Sequence, residues 1–176
     1  MTESPATTIT AASPADLPDL MRLIRALAVY EKLEHLVVAD EAALNAALFG
    51  AGANCEALIA RTAPVPHGGA ETGGPSGEAV GFALYFHNFS TFLGRKGLYL
   101  EDLFVVPERR GAGLGRALLQ RLAAIAVERG CGRFEWTVLD WNTPAIGFYE
   151  AMGAQVLPDW RIVRVTGESL QRMAAG

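Results

Sequence analysis

The sequence predicts an α/β fold, a mixed sheet flanked by helices, and three observations carry it. Short β-prone runs and longer stretches with a helical apolar face alternate along the chain. Three of the runs, 55–60, 79–88 and 98–106, follow one another as a meander, whereas later strands are reached through helices. Between these two regimes lies Leu98–Leu118, LYLEDLFVVPERRGAGLGRAL, which reads as strand, glycine-rich turn and helix.

The elements follow in order. Residues 1–6 are polar and read as a disordered arm. Thr7–Ala12 alternates weakly and forms a first strand. Ser13-Pro14-Ala15-Asp16 places a cap, a proline at the first position and an acid at the third, so a helix starts there. Its apolar face, Leu17, Leu20, Met21, Ile24, Leu27 and Ala28, runs to about Tyr30. Asp40 caps a second helix, Glu41–Phe49, closed by Gly50-Ala51-Gly52. Cys55–Ala60 is a second strand, and 62–78, rich in Pro, Gly and Ser, is a flexible hairpin insert holding His67. Ala79–Asn88 is a third strand and Leu98–Val106 the fourth, stopped by Pro107. Leu114, Leu118, Leu122 and Ile125 line one side of the helix after the glycines, which ends near Arg129-Gly130. Arg133–Leu139 is a fifth strand, Ala145–Met152 a short helix capped from Asn142 or Thr143, Arg161–Thr166 a final strand, and Gly167–Ala174 a terminal helical turn or two. No internal repeat is visible.

Composition bounds the function. A chain of 176 residues with 51% hydrophobic residues is read as a single domain, 1–176, with a sizeable core. Its net charge of -4 argues against nucleic acid as a partner. Two cysteines, Cys55 and Cys131, lie outside any C-x-x-C, and His35, His67 and His87 are scattered, so no metal is expected. There is no run of membrane-spanning length and no basic-then-apolar leader, so no membrane is expected and the cytoplasm is the expected location.

The glycine turn narrows this further. A glycine-rich turn opening a helix leaves about four backbone N–H groups unpaired at the positive end of the helix dipole, a setting for phosphate. The nucleotide P-loop requires Gly-Lys-Ser/Thr, and here Gly115 is followed by Arg116-Ala117. The dinucleotide spacing is G-x-G-x-x-G, and here it is G-x-G-x-G after a basic segment. What is left is Arg110-x-x-Gly113-x-Gly115 behind a strand, which resembles the acetyl-CoA pyrophosphate loop of the GNAT N-acetyltransferases.

The resemblance covers most of the chain. It implies a mostly antiparallel central sheet whose fourth and fifth strands splay apart, with acetyl-CoA as cosubstrate in the opening. Arg110, Gly111, Ala112, Gly113, Leu114, Gly115 and Arg116 would hold the diphosphate. The backbone of Leu103, Phe104 and Val105 would pair with the pantetheine arm as with an added strand. Asn142, Ala145 and Tyr149 would complete the cofactor site, in the segment Asn142 to Gly153 whose tyrosine protonates the departing thiolate. Tyr30-Glu31, Tyr99-Leu100-Glu101-Asp102 and Trp141-Asn142-x-Pro144-x-x-x-Phe148-Tyr149 resemble one branch, the diamine (spermidine/spermine) and thialysine N-acetyltransferases. There Tyr30, Glu31 and Glu101 would line the amine pocket, with Glu135 at a substrate-side position under a changed residue type. The branch also implies a homodimer.

Chemistry explains why acids matter. A free alkylamine has a pKa of about 10.4, so about one molecule in a thousand is nucleophilic at pH 7. The site must attract the ammonium and take its proton. Glu101 and Asp102 are strand neighbours and point to opposite faces unless a bulge intervenes. An acid inside an apolar strand is costly unless paired or used, which makes Glu101 the expected ammonium ligand and proton acceptor, directly or through water. With Tyr149 as acid, the expected enzyme transfers acetyl directly from acetyl-CoA to a small cationic amine: a diamine, polyamine or lysine-like amino acid. Neither Cys55 nor Cys131 lies in a motif that places it beside a base, which disfavours an acetyl-cysteine route. The alternatives are an acetyltransferase for a protein amine or an antibiotic, a non-catalytic acyl-CoA-binding module, and a nucleotide-binding redox protein.

Overall fold

The structure, a computed structural model, describes residues 6–63 and 77–176. The expected arm at 1–6 and insert at 62–78 fall, apart from their ends, outside the described residues, as does His67. The chain forms two compact units, one up to Thr137 and the other Val138–Gly176.

The first unit is a mixed α/β layer. Its strands are β1 (Thr7–Ala11), β2 (Glu56–Thr62), β3 (Ala79–Ser90), β4 (Arg95–Val105) and β5 (Phe134–Trp136), and its helices are α1 (Leu17–Glu31), α2 (Glu41–Phe49) and α3 (Leu114–Glu128). The five strands lie in the order β1-β2-β3-β4-β5. The first four pair antiparallel, and β5 joins β4 in parallel after the α3 crossover. The start of α1 follows the Ser13 signal: Ser13 N and Oγ both donate to Asp16 Oδ2 at 2.8 Å, over a 3-10 turn at Pro14–Asp16. Arg61 of β2 fastens that turn to the sheet, donating to Asp16 and Asp19 at 2.7 Å each.

Strand alternation divides the core. Leu20, Leu23 and Leu27 of α1 and Leu44 and Leu48 of α2 pack with Ile59, Phe82, Leu84 and Phe104. The odd residues of β3 face the other way, where α3 lies: a Cβ placed on Gly81 would meet Leu118 Cδ1 at 3.6 Å. Leu118 and Leu122 are fully buried there. Between them these layers hold β4 in a fixed plane.

Two features of β4 position the site. Its pairing with β5 spans only Leu98↔Phe134, Tyr99↔Glu135 and Leu100↔Trp136, after which β4 runs on to Val105 paired with β3 alone. The strands therefore part after Leu100, as expected. The β3–β4 register also jumps, with Leu84 opposite Asp102 and Tyr85 opposite Leu100, so Glu101 is the extra residue of a bulge.

The second unit holds α4 (Thr143–Ala151) and α5 (Gly167–Ala175). The expected final strand at Arg161–Thr166 is a correction: the segment is irregular chain with no ladder to any described residue, and Ile162 and Val163 are 66% and 92% exposed. A β-prone run becomes a strand only against an edge that accepts it. The fifth strand is likewise shorter than the expected 133–139. No helix among the described residues is long and apolar enough to cross a membrane.

Candidate active site

The site in the first unit grows from the end of β4. Past the parting from β5, Leu103, Phe104 and Val105 have β3 on one side only. The chain then makes a 3-10 turn at Pro107–Arg109 and enters the glycines. Gly111 and Gly113 take positive φ of 78° and 82°, a left-handed geometry that suits only glycine and turns the backbone into the helix. The first amide of the helix to close a backbone bond is Ala117 N, on Gly113 O at 3.0 Å. The N–H groups from Gly111 to Arg116 make no hydrogen bond to any described residue. That run of amides, at the positive end of a 15-residue helix, fits a diphosphate. A cavity of about 310 Å³ borders the turn, between Ala112, Gly113 and Leu114 and the β1 residues Thr7 and Ile9.

Arg110 behaves differently from the rest of the loop. Its N–H is taken by Pro107 O at 3.1 Å, its Nε donates to Val105 O at 3.0 Å, and its guanidinium lies 4.4 Å from the Tyr30 ring centre.

The acids gather at the bulge. Glu101 is exposed, whereas Asp102 is partly buried beside it. Burial, with the charges of Glu101 and Glu31, pushes the Asp102 carboxyl up to about 6. Burial also raises Glu31, at the end of α1. The structure thus brings Glu31, Glu101 and Asp102 into one electrostatic group, with Tyr30 next in chain. Asp102 is the member sequence reasoning passed over. Alternation sets it on the opposite face from Glu101, and only the bulge brings both to one place. The signal for it was the adjacent pair of acids itself.

Glu135 stands apart from this group. Its Oε1 accepts from Asn88 Nδ2 at 2.6 Å and pairs with Arg133 Nη2 at 3.0 Å. Its charge is already met. Cys55 donates to Ala47 O at 3.5 Å, and burial together with Glu101 and Glu56 raises its thiol pKa, so it stays protonated and weakly nucleophilic. Among the described residues no group of three His, Cys, Asp or Glu could hold a metal ion.

In the second unit, Asn142 is buried and caps α4, its Oδ1 accepting from Ala145 N at 3.4 Å. Ala145 N also reaches Asn142 O at 3.0 Å, so this amide serves the helix. Tyr149 sits partly buried in the second turn, its ring centre 5.4 Å from that of Phe148.

A parted parallel pair of strands, a run of amides with no bond to any described residue and a bulge bearing acids make up the candidate site. Residues 51–154 match the acetyltransferase (GNAT) family, and the chain belongs to it and is an acyltransferase enzyme. It is 39% identical to the thialysine N-epsilon-acetyltransferase of Mus musculus over 96% of this chain and 97% of that one. It is 36% identical to the L-ornithine N5-acetyltransferase NATA1 of Arabidopsis thaliana, over 91% of this chain and 84% of that one. Among solved structures, an integron cassette protein of V. cholerae superimposes with a TM-score of 0.74 at 25% identity, covering 98% of this chain and 100% of the other.

Proposed function

We propose that the protein transfers acetyl from acetyl-CoA to the primary amine of a small substrate that carries a second charged group: a diamine, a polyamine or a lysine-like amino acid. The observation that carries this reading is the placement on one strand of an acid cluster and, one turn later, a run of free amides. The diphosphate would be held by the backbone of Gly111–Arg116. The pantetheine amides would pair along Leu103–Val105, where β4 has lost β5, and an N–H there would hold the thioester oxygen. Bound there, the thioester supplies an activated acyl carbon.

The amine side is set by charge. Exposed Glu101 attracts the ammonium, with Tyr30 and Glu31 lining the same pocket. Glu101 takes the proton directly or through water, and Asp102, pushed up to about 6 by burial and by the acids beside it, is a second group suited to accept a proton at neutral pH. Glu135, already paired, would shape the pocket wall more than supply charge. Asn142, Ala145 and Tyr149 are proposed as further cofactor-binding residues, with the Tyr149 phenol protonating the departing thiolate; the support is the sequence segment they share with the family. The relatives named for thialysine and for ornithine act on amino acids with a side-chain amine, which favours that class over a protein amine or an antibiotic. We also infer a homodimer, supported by the exposed apolar run in the second unit.

Acetyl-CoA turnover across a panel of amines tests the reading. Amines with a second charged group should exceed matched monoamines at least tenfold in kcat/KM. A panel in which no small amine is acetylated would overturn it.

A further inference from the structure

We propose that Arg110 is a positioning residue for the amine subsite and not a ligand of the diphosphate. This rests on the acetyl-transfer reading above. Four contacts meet at its side chain and backbone. The guanidinium carbon lies 4.4 Å from the Tyr30 ring centre and 5.5 Å from that of Phe104. Its Nε donates to Val105 O at 3.0 Å. Its own N–H is spent on Pro107 O, so it adds no amide to the cradle that begins at Gly111.

The side chain therefore ties the end of β4 to the end of α1. That end of α1 has reason to need a tie. The helix closes on Lys32 with φ 62°, a left-handed conformation that a residue with a Cβ adopts at a cost of about 1 kcal/mol or more. Lys32 is also the single described non-glycine residue with positive φ. Tyr30 and Glu31 occupy the last turn before it. A planar cation stacked on the Tyr30 ring fixes that turn against β4, and so fixes Glu31 relative to Glu101 and Asp102. Arginine is suited to this, because its face can stack on a ring while its edge donates to a carbonyl; lysine does not combine both.

A ligand of the diphosphate and a tie between two elements answer to different substrates, so donor and acceptor kinetics separate them. Arg110→Ala should raise the amine KM about three- to tenfold, the loss of an exposed cation–π contact and one hydrogen bond, and leave the acetyl-CoA KM within twofold. The fall in kcat/KM for the amine should be the same with acetyl-pantetheine, which has no diphosphate, as with acetyl-CoA. Arg110→Lys should recover part of the amine KM. Amide hydrogen exchange at Tyr30–Leu33 should quicken in Arg110→Ala. A raised acetyl-CoA KM with acetyl-pantetheine turnover unchanged would make Arg110 a diphosphate ligand and overturn the proposal. Should the parent protein acetylate no amine, the acetyl-transfer reading fails by itself. Exchange at Tyr30–Leu33 then decides alone, and rates unchanged in Arg110→Ala overturn the tie.

Discussion

The strand β4 and the segment Arg161–Thr166 are both rich in β-prone apolar residues, yet they end in opposite conditions. β4 is laddered to β3 along its length and has Leu98, Leu100 and Phe104 buried. Arg161–Thr166 has no ladder among the described residues and leaves Val163 92% exposed. The difference lies in what flanks them. β4 has a partner strand already in place and a helical layer on each face; the C-terminal segment has neither within its own unit. What β4 gains is more than order. A carboxyl on an exposed strand is solvated and titrates where a free one does, whereas a carboxyl at a fixed bulge can be held close to other acids and partly out of water. Asp102, pushed up to about 6 with Glu101 and Glu31 beside it, is the product of that fixity.

The largest effect should therefore come from discharging the acids of β4. Glu101→Gln and Asp102→Asn should each lower kcat/KM by about 10²–10⁴, the range for loss of a general base. In the parent protein kcat/KM should rise with pH through an acid limb near 6, since the base works only once deprotonated. The part of that limb carried by Asp102 should be lost in Asp102→Asn, and in the residual activity of Glu101→Gln it should move to lower pH, because a like charge is gone. If both variants keep the parent rate and pH profile, β4 is an ordinary core strand and the contrast carries no function.

A second effect, on stability, has the opposite sign. Asp102 is raised from 3.8 to about 6 on folding, so its contribution to stability is fully present below the unfolded value and is lost as pH rises through the folded one. Asparagine carries no charge to desolvate. Asp102→Asn should therefore be more stable than the parent at pH 7 by on the order of 2 kcal/mol, the gain fading to nothing below about pH 4. Urea titrations at pH 7.5 and pH 3.5 check this. A variant that loses stability at pH 7.5 would show that Asp102 holds the fold and is not strained by it.

These effects fall where the sequence was hardest to read. Hydrophobic period, caps and breakers located most elements within a few residues: the Ser13–Asp16 start, the Asp40 cap and the α3 face at Leu114, Leu118 and Leu122 are local signals with local consequences. The glycine turn was legible for the same reason, because positive φ at Gly111 and Gly113 is a property of single residues. What escaped depends on partners. The Glu101 bulge exists only in the register between β3 and β4, and nothing in Leu98–Val106 alone announces it. Arg110 reads as loose positive charge until Tyr30, 80 positions earlier, is found under it. Glu135 reads as a free acid until Asn88 and Arg133 occupy it. The strand at Arg161–Thr166 was expected from composition, and composition cannot supply an edge.

The smallest effect on the folded chain, and the sharpest on the comparison, should come from that segment. Val156, Leu157, Trp160, Ile162, Val163, Val165, Leu170 and Met173 are all exposed. At about 60–120 Å² per side chain, covering them would bury roughly 500–900 Å² per copy, near the 800 Å² per partner of a stable interface. A second copy can meet this surface by a twofold axis, which uses each exposed run once. Light scattering should then give the mass of two 18.8 kDa chains for the parent and of one for Val163→Asp. The unfolding free energy of the monomeric variant should stay within about 0.5 kcal/mol of the parent extrapolated to the same monomeric state, as for a surface substitution. A loss of several kcal/mol would mean that Val163 is covered by its own chain, and the two regions would then differ less than their exposure indicates.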